Sequence, residues 1–282
     1  MSDKSSPQYL NLKGDLWYEC LESSYGFLRA SWLIGWLGMP KVLYECLKFL
    51  NLQESNLSEA GLCMLGAANK LAIEIENQSQ SNTKFAEPKY HNRLHFADAL
   101  TSMSIQLAIQ VELKKEVNQD WMLCALLTCL AHDFAHPGNI NSVESEIEKQ
   151  SVQLLKPILS SHDVPHEWQA VIETAIIRSD FSIVQHNHAN VAGQSFEWDL
   201  KWLCVLLNEA DVMASASSTY GPELGDALAN EWRLIDFSPH ATVSTSEGRK
   251  AFLKQLTFSS PASLVLGISE RISDEIRSNL NH

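Results

Sequence analysis

Apolar residues recur three and four positions apart along most of this chain, and no stretch sustains the two-residue alternation of a half-buried strand. The pattern predicts an all-α protein. Leu16–Phe49 is helical with a break near Gly38-Met39-Pro40, and Ser58–Asn77 follows with Ser58 as its N-cap. Gln78–Pro88 is polar and reads as a loop. Asp120 is placed to cap the apolar helix Trp121–His132. Val143–Leu159, Pro165–Arg178, Glu197–Ser217, Pro222–Leu234, Ser246–Leu256 and Pro261–Leu280 complete the helices. Repeats and low-complexity linkers are missing, so the expectation is a single compact multi-helix domain. Residues 1–55 form an N-terminal helical subregion of it and residues 56–282 the main body. The subregion holds Trp17, Trp32 and Trp36 among many leucines. Such helices suit packing on the main bundle, with a dimer or membrane-surface helix as the alternative; interfacial helices usually carry basic faces.

Composition narrows the partners. Of 282 residues, 45% are hydrophobic and 20% charged, enough apolar material for a sizeable core. Acids outnumber bases 34 to 21, a net charge of −13, which argues against nucleic acid or an anionic membrane. A small phosphate ligand stays open, because bound cations would dominate its local field. Cys20, Cys46, Cys63, Cys124, Cys129 and Cys204 are scattered without a C-x-x-C and read as buried thiols of a reducing compartment. The opening MSDKSSPQYL lacks a signal-peptide core. The apolar runs Ser31–Pro40 and Trp121–Ala131 fall short of the ~20 residues of a membrane span. A cytoplasmic protein without a membrane span is expected.

Two segments carry the chemistry: Tyr90-His91-Asn92-Arg93-Leu94-His95, and His132-Asp133-Phe134-Ala135-His136-Pro137-Gly138-Asn139. Each sets two histidines four residues apart, which on a helix share a face. Imidazoles and carboxylates are ligands for divalent cations that activate water. His132 and Asp133 are adjacent and cannot share a helix face, but they can meet one ion where Pro137-Gly138 ends the helix. His95 is a further candidate ligand. So is Asp211, whose carboxylate sits in the apolar stretch Leu206–Asp211, where an unpaired charge is costly. Two histidines and two aspartates suit a zinc-type ion with a harder Mg²⁺ or Mn²⁺ neighbour. The chain reads as a metal-dependent hydrolase.

Y-H-N-x-x-H-x-x-D at Tyr90–Asp98, H-D-x-x-H-P-G from His132 and A-D at Ala210-Asp211 resemble the signature of class I cyclic-nucleotide phosphodiesterases, within the HD-domain metal-dependent phosphohydrolases. Weaker similarity continues through Ile147–Gln150, Ser179-Asp180-Phe181 and Ile235–Pro239, so the resemblance covers roughly residues 85–270. It implies that His95, His132, Asp133 and Asp211 hold a first metal, and that Asp133 bridges to a second. His91 would protonate the leaving oxygen, with His136 and Glu148 around the bridging water. Tyr90 and Asp98 would orient the histidines. Water acidified by the two cations would attack phosphorus in line. The implied substrate is a small phosphoester, a cyclic nucleotide, and a homodimer is compatible. Family members carry a glutamine near the C-terminal end that bonds the purine; here Arg249 falls at that place, with Asn139 as a second substrate contact. Arginine has only donors and suits an anion instead. The histidine expected near Ser151 is also missing.

Three rival readings stand beside this one. Arg249 favours an HD-type phosphohydrolase acting on another nucleotide or small phosphoester. The surplus histidines His162, His166, His186 and His188, here placed in loops, would suit a di-iron oxygenase of the same superfamily. A metal-stapled helical sensor or partner-binding domain is the non-enzymatic reading, though it leaves His91 without a purpose.

Overall fold

In the computed structural model, residues 7–81, 87–233 and 244–278 are described. Among them are thirteen α-helices, one 3₁₀ turn and no strand. The helices are α1 (Pro7–Ile34), α2 (Met39–Phe49), α3 (Glu59–Ser81), α4 (Arg93–Lys114), α5 (Gln119–Ala131), α6 (Glu146–Ser161) and α7 (His166–Ile177). They continue with α8 (Phe181–Val191), α9 (Leu200–Ala216), α10 (Gly221–Trp232), α11 (Ser246–Gln255), α12 (Pro261–Leu266) and α13 (Ile268–Ser278). The all-α reading holds.

Helix α4 runs through the middle. It is buried on nearly every side and so has no polar face to show. It packs against α1, α2, α5, α9 and α12. Leu100, Met103 and Leu107 belong to a core shared with α2, α3, α5 and α9. Ile105 and Ile109 face a second core, with Tyr25 of α1, Met213 of α9 and Leu253 of α11. Helices α4 and α9 therefore separate and join the two cores, and both carry site residues. Helix α1 packs on α4 and α12, with Trp17 edge-on to Phe49. Trp36 donates its indole N–H to Glu76 of α3 at 3.0 Å. The loop after α1 nonetheless leaves Leu33 and Ile34 83% and 90% exposed.

Several local expectations are corrected. The helix from residue 59 continues to Ser81, into the stretch read as a loop. Ser58 Oγ does accept the Gly61 N–H at 2.9 Å, as an N-cap should. Helix α5 is capped by Asn118, whose side chain accepts from the Trp121 amide, and not by Asp120. Asp120 instead accepts from Ser58 Oγ at 2.7 Å, tying α5 to α3. The stretch Pro261–Leu280 is two helices, because Gly267 takes a left-handed φ of 63° that ends α12. Helix α8 contains His186 and His188, which were read as loop residues. All six cysteines are free, but Cys20 is exposed and Cys63 half-buried, so the buried-thiol reading fits only the other four. No helix among the described residues is long and apolar enough to cross a membrane.

Candidate metal and phosphoester site

The paired histidines do not share helix faces. Asn92 is the N-cap of α4, and its Oδ1 accepts from the amides of Leu94 and His95. His91 thus lies before the helix, and His95 in its first turn. His132 is the C-cap of α5, and His136 lies beyond it in a turn where Ala135 adopts φ 61° and Gly138 φ 77°. A Cβ on Gly138 would press on the Glu231 side chain at 3.2 Å, so this turn needs glycine for shape and for space. The four-residue spacing places one member of each pair inside the cluster and the other at its rim.

The cluster joins the ends of α4 and α5 to the middle of α9. The ligand atoms of His95, His132, Asp133 and Asp211 lie within 4.8 Å of one another. His95 Nε2 is 3.2 Å from Asp133 Oδ2 and 3.1 Å from Asp211 Oδ1. His132 donates from Nδ1 to the Cys129 carbonyl at 2.7 Å, which leaves the lone pair of Nε2 facing the cluster. That Nε2 is buried and makes no hydrogen bond, although Asp133 Oδ2 and Asp211 Oδ1 lie 3.3 and 3.5 Å from it. A buried acceptor without a donor is costly, and a cation would satisfy it. The donor set of two imidazoles and two carboxylates therefore fits a divalent metal. Burial opposes charge on both histidines, yet the two aspartates prevail, raising His95 to about 9 and His132 well above its ordinary value. In return the histidines hold Asp133 and Asp211 below the usual carboxylate range against the cost of burial. A site that draws positive charge so strongly is electrostatically prepared for a cation.

His91 stands at the rim, held from behind. Its Nδ1 is 2.5 Å from Glu231 Oε1, and its Nε2 is 4.0 Å from Asp133 Oδ2. Glu231, from the last turn of α10, also accepts the backbone N–H groups of Tyr90 and His91 at 2.7 and 3.1 Å. Burial works against the charge on Glu231, but the His91 ring and the two amides outweigh it and hold its carboxyl low. The sequence reading missed Glu231, whose setting is an unremarkable helical run. His136 stacks on His91 with ring centres 3.7 Å apart. Its Nδ1 accepts the Gly138 N–H, and burial, followed by the proximity of His91, lowers it to about 4. It is therefore a neutral ring against which His91 rests.

The remaining candidates sort by contact. The Tyr90 ring packs 4.8 Å from His95, while its hydroxyl meets Ser215. Asp98 touches no histidine ring nitrogen; it accepts a two-pronged bond from Arg29 of α1. Glu148 reaches the site's cavity and accepts from Asn141, whose Nδ2 also donates to Asp180. Asn139 is exposed, and neither it nor Asn141 lines a cavity; Asn141 is the one that contacts Glu148. Asp180 caps α8 through the Ser182 amide. Ser151, where a histidine was expected, bonds the Phe134 carbonyl. Among the described residues, His162, His166, His186 and His188 line neither cavity and join neither cluster of candidate metal ligands.

Two cavities meet at His91 and Asp211. The smaller, about 150 Å³, lies over the cluster and is lined by Asp133, His136, Glu148 and Asn208 among others. The larger is an open cleft of about 810 Å³ between α9, α10 and α11, walled by Phe181, Val212, Leu224, Leu228 and Phe252. Arg249 is in its wall but is not free to bind an anion. It grips Glu275 through Nε and Nη2, at 2.5 and 2.9 Å, and donates to the carbonyls of Ser215 and Ser217. Gln255, at the end of α11, lines both cavities. The weaker motif at Ile235–Pro239 lies outside the described residues.

Residues 90–193 match the family model of the 3'5'-cyclic nucleotide phosphodiesterases. The resemblance read from the motifs is a match to that family over the segment that holds both histidine pairs. The family is one of phosphoric diester hydrolases, and the enzyme class read from the motifs stands with the match. No curated protein matches the chain. Asp211 and Glu231 lie beyond the matched segment and are brought to it by the fold.

Proposed function

We propose that this phosphodiesterase-family chain hydrolyses a 3',5'-cyclic nucleotide to its 5'-monophosphate. One observation carries the reading: the ligand atoms of His95, His132, Asp133 and Asp211 converge within 4.8 Å in a buried four-residue cluster whose open side faces His91. His95, His132, Asp133 and Asp211 would hold a divalent cation, with Asp133 and Glu148 available to a second, Zn²⁺ and Mg²⁺ or Mn²⁺ being the pair that suits these donors. Cations bound there supply Lewis acidity at the phosphate oxygens and an acidified water for attack on phosphorus.

The chain's own residues do the rest. Glu231 fixes His91 through Nδ1 and so presents Nε2 to the leaving oxygen, which must be protonated as its bond to phosphorus breaks. His136 blocks rotation of the His91 ring by stacking on it. Phe181, Val212 and Phe252 offer apolar surface for a flat base, and the Gln255 amide has both a donor and an acceptor for its edge. This gives the cyclic-nucleotide reading a candidate glutamine that the alignment at Arg249 lacked. An HD-type phosphohydrolase acting on another nucleotide loses its main support with the engagement of Arg249.

Purified protein assayed on cyclic AMP and cyclic GMP with Mn²⁺, Mg²⁺ or Zn²⁺ tests the reading. Turnover of either, abolished by His91→Ala and Asp211→Ala, is the expected result. Turnover of simple phosphomonoesters with none of either cyclic nucleotide overturns it.

A further inference from the structure

The phosphodiesterase reading leaves Arg29 unexplained. It belongs to α1, far from the motifs in sequence, yet it bonds both α4 and α10, the walls of the His91 position. Its Nη1 and Nη2 donate to Asp98 Oδ1 and Oδ2, each at 3.0 Å. Its Nε donates to Glu223 Oε1 at 2.5 Å. Its guanidinium carbon also lies 4.3 Å from the centre of the Tyr220 ring, just before α10. The Asp98 carboxylate is 2% exposed and the Arg29 side chain 11%, so the Asp98 leg is a desolvated, oriented fork, while the Glu223 leg reaches a carboxylate that is 58% exposed.

What the fork connects gives it meaning. Asp98 is the residue three after His95 on α4, hence on the same face of that helix. Glu223 lies in the first turn of α10 and Glu231 in its last, separated by about 12 Å at ~1.5 Å per residue. Arg29 therefore clamps the helix that carries a metal ligand to the helix that holds the His91 ring. A helix anchored at its far end by Arg29 and at its near end by Glu231 has little freedom to tilt or slide.

We propose that Arg29 is a positioning residue, setting the spacing of α4 and α10 and through Glu231 the placement of His91 over the leaving oxygen. This rests on the assignment of His91 as proton donor in the reading above. The consequence is selective: loss of Arg29 harms the step that needs a proton and spares metal binding. Esters with a nitrophenolate leaving group depart without protonation, so they separate the two.

The test compares cyclic AMP or cyclic GMP, whichever is faster, with bis(4-nitrophenyl) phosphate, using full-length protein and Mn²⁺. Arg29→Met should lower kcat on the cyclic nucleotide about 10- to 100-fold, a part of the ~100- to 10,000-fold that general acids contribute. KM and nitrophenyl-ester turnover should each stay within about threefold. Arg29→Lys should recover part of the loss, and His91→Ala should show the same selectivity in full. Glu223→Gln cuts only the α10 leg and should give a smaller loss of the same kind, which keeps the test decisive if Arg29→Met fails to fold. Equal losses on both substrates, or none on the cyclic nucleotide, overturn the proposal while leaving the phosphodiesterase reading intact. Wild-type protein that turns over no cyclic nucleotide overturns both.

Discussion

The cluster floor and the cleft beside it share His91, Phe181, Asp211, Val212 and Gln255 and little else. The floor is a polar chamber of about 150 Å³ in which carboxylates and imidazoles set one another's charge. The cleft is over five times larger and mainly apolar, and its one arginine is committed to the protein itself. In the floor, function depends on individual atoms, so one orphaned nitrogen is informative. In the cleft, function depends on shape, so a conspicuous charge such as Arg249 misleads. Substitution should act differently in the two: chemistry is lost in the floor, stability or preference in the cleft.

The largest effect is expected at Asp211→Asn, which keeps shape but removes a ligand charge. Metal content should fall, and turnover should drop about a thousandfold, several kcal/mol of lost electrostatic stabilisation. Metal analysis of the purified variant beside its kinetics checks this. Retained metal with full activity would dissolve the distinction between the two regions. Next comes Arg249→Gln. Breaking this pair also abandons two carbonyls at the end of α9, so the denaturant midpoint should fall by an amount near 3 kcal/mol. The ratio of cyclic AMP to cyclic GMP turnover should stay unchanged; a changed ratio would return Arg249 to substrate binding.

Gln255→Ala is the cleft's counterpart to Asp211. It should reduce kcat/KM on the preferred cyclic nucleotide about tenfold, one lost hydrogen-bonded contact, with nitrophenyl-ester turnover unaffected. The smallest effect lies outside both regions. Burial opposes charge on Glu76, but the Met39 amide, the Trp36 indole and Arg93 outweigh it and hold its carboxyl low. A carboxyl held low in the folded chain contributes stability above its unfolded pKa and loses it as pH falls through the folded value. Wild type should therefore lose on the order of 1 kcal/mol more than Glu76→Gln on acidification below about pH 4. Urea melts at pH 7 and pH 3.5 measure that difference.

How much of this could be read from residues alone follows from distance along the chain. His132, Asp133 and His136 are nearly consecutive, so their spacing was informative even though the helix geometry assigned to it was not. Asn92 ends the helix between His91 and His95, and only the cap geometry shows that. Asp211 was legible because a carboxylate in an apolar run needs a partner. Glu231 gave no such signal, since helical acids are usually solvated. Arg249 was legible as chemistry but not as architecture, because nothing near it in sequence announces Glu275 or two free carbonyls. Helix α8 was missed because its outward face is rich in polar residues.

His91 and Glu231 stand 140 residues apart in the chain yet meet at 2.5 Å. During synthesis, both histidine pairs emerge long before the carboxylates that complete them. A nascent chain carrying only the matched segment lacks Asp211 and has no partner for His91. Completion of the four-residue cluster is thus deferred until α9 has docked, and the His91–Glu231 contact until α10 has.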